Sequence, residues 1–361
     1  MKSKYYSLKN ILSRNALYNV IIGERSNGKT YAALEYGLKQ YFNNGGEMAI
    51  IRRWNDDFRG KRGATVFTAL ENNGVITKLS RGEWTGVYYW GGRWYFCRYT
   101  DENKLEKSEK PFCYAFSLTA QEHDKSSSYP NIQTIVFDEF LTRGMYLPDE
   151  FILFMNCLST IIRDRDNVKI FMLGNTVNQY SPYFSEMGLE HIKSMKQGDI
   201  DLYTYGNSGL TVAVEFSDSA NKKPSNKYFA FDNPRLQMIT GVGNVWEIDI
   251  YPHCPCKYVP KDILYTYFIK FDGNILQCEI IMKNNGIFTY IHKKTTELQN
   301  RQNDIIYSPE DSTQPNYFKY INRPVNNLQQ QIYQLFTTGK IFYQDNKTGE
   351  IVRNYLLWCK K

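Results

Sequence analysis

Along the first half of the chain, short apolar runs alternate with stretches whose apolar residues recur at helical spacing. Tyr18 to Ile22 is a β-branched run that ends at Gly23, which predicts a buried strand. Thr30 to Phe42 carries Ala33, Leu34, Leu38 and Tyr41 at helical spacing, and Asn43-Asn44-Gly45-Gly46 stops that helix. Met48 to Ile51 predicts a second buried strand, and Tyr88 to Tyr99 a hairpin turning at Gly91-Gly92. Further strands are expected at Tyr114 to Leu118, Thr134 to Phe137 and Lys169 to Leu173. Pro148-Asp149-Glu150 opens a helix running to about Arg163, with its acids where the positive end of the helix dipole favours them. Strands alternating with helices predict an α/β domain on a mainly parallel sheet.

Between about Ser219 and Lys257 the pattern loosens into Ser, Asn and Pro. Beyond it, Leu264 to Phe271, Ile275 to Met282 and Ile287 to His292 are three strands joined by Asp272-Gly273-Asn274 and Asn284-Asn285-Gly286, an antiparallel meander. A helix over Val325 to Phe336 follows. The expected division is an α/β domain over 1–218, a linker or small bridging domain over 219–257, and a smaller α+β domain over 258–361.

Composition changes this picture little. With 361 residues, two domains are the expectation, and 42% apolar with 22% charged residues excludes a wholly disordered chain. A net charge of +7 permits a polyanion partner without establishing one. No apolar run approaches the ~18 residues of a membrane span, so no membrane association is expected. The run Val20-Ile21-Ile22 is too short for a signal segment. The 7 cysteines are odd in number and scattered, as in a reduced, intracellular protein. His253-Cys254-Pro255-Cys256 has no partner cluster and the wrong spacing for zinc, so no metal is assigned to it.

The chemistry is concentrated in the first domain. Gly23-Glu24-Arg25-Ser26-Asn27-Gly28-Lys29-Thr30 fits the phosphate-binding pattern G-x-x-x-x-G-K-[ST], with a strand before it and a helix after it. The glycines let backbone N–H groups point at phosphate oxygens, Lys29 reaches the β- and γ-phosphates of ATP, and the Thr30 hydroxyl ligates Mg²⁺. A glycine-containing turn is the plain alternative. The strand Thr134 to Phe137 delivers Asp138 at its carboxyl end, where open α/β sheets place ligand groups, to bind Mg²⁺ through water. Glu139 can polarise a water as general base, which favours hydrolysis over transfer to a small metabolite. Asn175, at the end of the next strand, is the candidate contact to the γ-phosphate or the lytic water. Arg25, inside the loop, could reach the γ-phosphate in cis; a solvent-facing arginine is the plain alternative. Arg52 and Arg53 follow a strand at the same edge, where one of them could join the acids or the nucleotide.

These residues resemble one family closely: the DNA-packaging ATPases, or encapsidation proteins, of small podovirus-type phages, relatives of terminase large subunits. The matching pieces are Gly23 to Thr30 with Arg25, Ile51-Arg52-Arg53, Lys125-Ser126, Tyr129-Pro130-Asn131, Thr134 to Phe140, Arg163-Asp164-Arg165, and Asn175 with Pro182-Tyr183-Phe184. They run over roughly residues 15 to 185. The resemblance implies a P-loop ATPase that forms a pentameric ring on the capsid portal in the host cell cytoplasm and pumps double-stranded DNA inward with ATP and Mg²⁺. In some members of the family a structural RNA sits between motor and portal. It further matches Arg163 to a finger acting on the neighbouring subunit's site, and Lys125 to a second residue reaching across. The plain alternative is that Arg163 and Arg165 only favour the negative end of their helix.

The meander and helix resemble the RNase H-like nuclease fold of terminase relatives. Two-metal cleavage needs converging carboxylates, one of them on the first strand. Leu264 to Phe271 carries no acid, and Asp272 sits in the turn beyond it. The expectation is a nuclease-inactive domain that binds DNA or the capsid vertex, with Lys270, Lys283, Lys293 and Lys294 as candidate contacts. Two other classes fit the phosphate loop: a P-loop kinase, which would not need Glu139, and a nucleotide-gated, non-enzymatic scaffold of the vertex. DNA-stimulated ATP hydrolysis separates the motor from both.

Overall fold

The computed structural model describes residues 6–120, 128–163, 165–217, 246, 249–254, 256–284, 286–299 and 303–360. They fall into two compact units, one running through Ser217 and including Trp246, the other from Asp249 onward. Most of the expected linker lies outside the described residues, as do Lys125, Ser126 and Asp164.

The first unit carries strands β1 (Tyr18–Gly23), β2 (Glu47–Arg52), β3 (Gly86–Trp90), β4 (Arg93–Tyr99), β5 (Leu105–Lys107), β6 (Cys113–Ser117), β7 (Ile132–Asp138), β8 (Lys169–Asn175), β9 (Ile200–Tyr205) and β10 (Leu210–Phe216). Its helices are α1 (Lys9–Leu12), α2 (Lys29–Asn44), α3 (Lys61–Ala64), α4 (Thr68–Asn72), α5 (Val75–Leu79), α6 (Glu150–Ile162) and α7 (Pro182–Glu186). The sheet order is β3-β4-β6-β2-β7-β8-β1-β10-β9, with β5 beside β4. From β6 to β10 every pairing is parallel, and only the outer pairings are antiparallel. The mainly parallel sheet expected from the sequence is therefore present.

Both faces of this sheet are covered, which is why its central strands read as unbroken apolar runs. Val20, Ile22, Ile135 and Phe137 point to the side that holds Phe154, Leu158 and Ile161 of α6. Ile21, Val136, Phe171 and Leu173 point to the other side, against Ala32 and Ala33 of α2. The parallel register sets Gly23 beside Asn175, and Asp138 beside Leu173. The carboxyl ends of β1, β2, β7 and β8 thus meet at one sheet edge, which carries the phosphate loop, Asp138, Glu139 and Asn175.

The second unit is a six-stranded sheet in the order β15-β14-β11-β12-β13-β16. Here β11 is Ile263–Phe271, β12 Asn274–Lys283, β13 Gly286–Lys293, β14 Ile306–Tyr307, β15 Tyr317–Phe318 and β16 Ile341–Tyr343. The expected meander is β11–β13, antiparallel throughout. β14 and β15 add parallel strands beyond β11. Helices Asn327–Thr337 and Asn346–Trp358 follow, capped by the side chains of Asn326 and Asp345. Gly349 lies inside the last helix because a Cβ there would come within 2.2 Å of the Tyr251 ring. Of the four candidate DNA-contacting lysines, Lys270 pairs with Glu310 at 2.5 Å and Lys283 with Asp262 at 2.7 Å. Among the described residues no helix is long and apolar enough to cross a membrane.

Candidate nucleotide site

The loop between β1 and α2 curls through two left-handed residues, Ser26 (φ 58°) and Gly28 (φ 99°). Such alternation turns successive N–H groups into one concavity, and α2 begins directly beyond it. Lys29 is buried, and its ammonium donates to the carbonyls of Gly23 (3.2 Å) and Glu24 (2.7 Å) and to Asn175 Oδ1 (3.3 Å). Burial pushes this ammonium down to about 8, against the opposing pull of Asp138 and Glu24. A buried cation held chiefly by neutral oxygens is a place where an anion is strongly favoured.

Asn27 shows why a polar residue occupies the loop. Its Nδ2 donates to Ser217 Oγ (2.8 Å), its Oδ1 accepts from the Lys29 N–H (3.2 Å), and Ser217 Oγ donates to the Ile22 carbonyl (2.9 Å). Asn27 thereby staples the loop to the residue after β10. A Cβ on Gly23 would lie 2.0 Å from Ser217 Oγ, so that position admits no side chain unless Ser217 moves. Sequence reasoning missed this tie, since its partners are 190 positions apart.

Opposite the loop, Asp138 ends β7 with both carboxylate oxygens engaged. Oδ1 accepts from Thr30 Oγ1 at 3.0 Å, and Oδ2 pairs with Arg52 Nη2 at 2.8 Å. Thr30 Oγ1 and Asp138 Oδ1 are hard oxygens of the kind that ligates Mg²⁺, while Oδ2 is taken by Arg52. Glu139 follows in a left-handed conformation (φ 59°), is exposed, and lines the same cleft. That cleft, about 910 Å³, gathers Arg25, Lys29, Thr30, Asp138, Glu139 and Asn175. It is also lined by Trp54, Asp57, Asn73 and Arg143, which nothing in their local sequence marks as site residues. Glu24 turns away, accepting from Gln197 Nε2 at 3.1 Å. Arg53 does not join the acidic pair; it is buried against Glu150.

Arg163 and Arg165 lie elsewhere. Arg165 donates to the carbonyls of Tyr129 (3.0 Å), Pro130 (3.0 Å), Ile132 (2.5 Å), Ile161 (2.8 Å) and Ile162 (3.2 Å). Its guanidinium fastens the end of α6 to the start of β7, at the sheet end opposite the phosphate loop. Arg163 is exposed at that same end. Arg165→Ala should therefore lower stability by about 2–4 kcal/mol, since several carbonyls lose a charged donor together. Urea unfolding measures this, and a loss under about 0.5 kcal/mol would contradict the fastening.

A parallel sheet with a phosphate loop after β1 and an acid at the end of β7 defines a P-loop NTPase domain. Residues 1–227 match the model of the podovirus DNA encapsidation protein (Gp16) family. The chain belongs to that family. It is 30% identical over 186 residues to the DNA packaging protein of Bacillus phage phi29, a match covering 51% of this chain and 50% of the relative. A match of the same extent joins it to the DNA packaging protein of Bacillus phage PZA, again 30% identical over 186 residues, 51% of this chain and 50% of that one. The chain thus spans about half the length of the curated relatives it matches. Its fold is similar to the Phi-28 gp11 DNA packaging motor, with TM-score 0.55 and 18% identity over 99% of this chain and 98% of that one. It is equally similar to the chain of the bacteriophage Phi-29 genome packaging motor assembly, with TM-score 0.55 and 19% identity over 98% and 97% of the two.

Proposed function

We propose that this chain is the ATP-hydrolysing subunit of a phage motor that drives double-stranded DNA into a preformed capsid. In this reading it works as a homo-oligomeric, pentameric ring docked at the portal, within the host cytoplasm. The observation that carries the reading is the closure of the phosphate loop on Asp138, with Glu139 at the mouth of the same cleft, in a member of the encapsidation family. Lys29 and the loop N–H groups bind the phosphates of ATP, and Asn175, bonded to Lys29, senses the γ-phosphate. Thr30 and Asp138 would hold Mg²⁺, which when bound neutralises phosphate charge. Glu139 takes the proton of the attacking water, and Arg25 faces the cleft from the loop.

Turnover by the full chain, measured with and without double-stranded DNA and empty capsids, tests this. Stimulation by DNA supports the motor. Turnover indifferent to DNA, or phosphate passed to a small acceptor instead of water, overturns it.

The second unit is assigned to DNA or vertex binding without cleavage. Its first strand, Ile263–Phe271, carries no acid, and Lys270 on that strand is paired with Glu310. Plasmid incubated with the protein and Mn²⁺ should remain intact; cleavage that Asp272→Ala abolishes would contradict this.

A further inference from the structure

Beside the cleft lies a buried ion pair that the proposed chemistry does not use. Arg53 and Glu150 are 7% and 1% exposed. Arg53 Nε donates to Glu150 Oε2 at 2.7 Å and Nη2 to Oε1 at 2.8 Å, a bidentate fork. The same carboxylate accepts from the Tyr183 hydroxyl at 2.8 Å and the Leu147 N–H at 2.7 Å, so both oxygens are saturated. The fork does not end there. Arg53 Nη2 also donates to the Phe140 carbonyl at 2.8 Å, and Nη1 to the Glu139 carbonyl at 3.5 Å. The Tyr146 ring lies 5.2 Å from the guanidinium.

Stability alone explains such a pair poorly. Two charges taken out of water are often replaceable by apolar residues of similar volume at little or no cost. What the pair does hold is a backbone that resists its own conformation. Glu139 is left-handed without being glycine, a state that persists only where the surroundings over-determine it. Here the surroundings are Arg53 on the two carbonyls and the Leu173 carbonyl, which accepts the Phe140 N–H at 3.2 Å.

We propose that the Arg53–Glu150 pair is a positioning device for the hydrolytic centre: it fixes the turn at Glu139 and Phe140 so that the Glu139 carboxylate stands in the cleft. The inference rests on the reading of Glu139 as the base. Arg53 also lines the cleft, but its guanidinium is committed to Glu150 and the turn carbonyls, and it acts through the turn. Glu150 orients Arg53 in its turn, from the first residue of α6, and Tyr183 orients Glu150 from α7.

Arg53→Lys is the informative variant. It keeps the charge, but a single ammonium cannot span Glu150 and both carbonyls as the planar fork does. A base misplaced by about 1 Å costs on the order of 10²-fold in rate, so kcat should fall by about that factor. Affinity for a fluorescent ATP analogue should stay within about 3-fold, because the phosphate loop is untouched. Hydrogen exchange at the amides of Phe140 and Leu141 should accelerate. Glu150→Gln, which keeps the size but leaves one acceptor oxygen where the Arg53 fork uses two, should show the same split and decides the matter if Arg53→Lys folds poorly. Turnover retained within about 3-fold, or lost in step with nucleotide affinity, overturns the proposal. Wild-type protein without any turnover defeats the ATPase reading instead; exchange at Phe140 and Leu141 then decides this one, unchanged protection overturning it.

Discussion

Glu139→Gln should bind ATP as the unaltered chain does and hydrolyse it about 10²–10⁴-fold more slowly. The neighbouring acid cannot take over the role. Asp138 has one oxygen on the Thr30 hydroxyl and the other on Arg52, so it is committed to the cation side of the site. The Glu139 carboxylate, by contrast, has no hydrogen bond or ion pair among the described residues and lines the cleft from an exposed position. Glutamine preserves its size and backbone preference and removes only the proton-accepting capacity. Lys29→Ala serves as the contrast, because it takes away the cation at the phosphates and should lose binding and turnover together. Filter binding of labelled ATP alongside phosphate release separates the two. Glu139→Gln turning over within about threefold of the parent would remove Glu139 from the chemistry.

Local sequence carried the parts of this site that depend on local geometry. The phosphate loop, Asp138 and Asn175 are each at a strand end, and unbroken apolar runs rich in β-branched residues locate buried strand ends well. What stayed hidden depends on distant partners. Nothing in the Ile51-Arg52-Arg53 run says that adjacent arginines diverge, one to Asp138 and the other to Glu150 97 positions away. Asn27 reads as a departure from smaller loop residues until Ser217 is seen beneath it. The hairpin β9–β10 carries a readable signal in Gly206-Asn207-Ser208-Gly209 between apolar arms, yet no local rule says that β10 inserts parallel to β1. In the second unit, β14 to β16 are short enough that pairing alone defines them, and the helix Asn346–Trp358 is masked by an internal glycine that packing against Tyr251 requires.

In the proposed ring, Arg163→Ala should nearly abolish hydrolysis, by about 10³–10⁵-fold if it supplies the cation that meets charge developing on the γ-phosphate. Its place in the fold excludes its own site. α6 starts at Glu150, beside the turn after β7, and ends where Arg165 grips Ile132, the first residue of β7. The helix therefore runs the length of the strand, and a rise of 1.5 Å over its 13 residues sets Arg163 about 20 Å from the phosphate-loop edge. An arginine side chain does not bridge that distance, so any γ-phosphate it serves belongs to another subunit. Arg165 cannot substitute, because five backbone carbonyls already hold its guanidinium. Lys125, the other residue matched to a trans role, lies outside the described residues and is tested the same way. Mixing makes the geometry measurable. Subunits with Arg163→Ala keep an intact loop, and subunits with Lys29→Ala keep an intact finger, so each is inactive alone. Combined in one ring, an Arg163→Ala site beside a Lys29→Ala neighbour regains everything it needs, and DNA-stimulated turnover should reappear at a fraction of the parent's rate. Full activity of Arg163→Ala alone, or no recovery in mixtures that still assemble, would show that the site is completed by some other group.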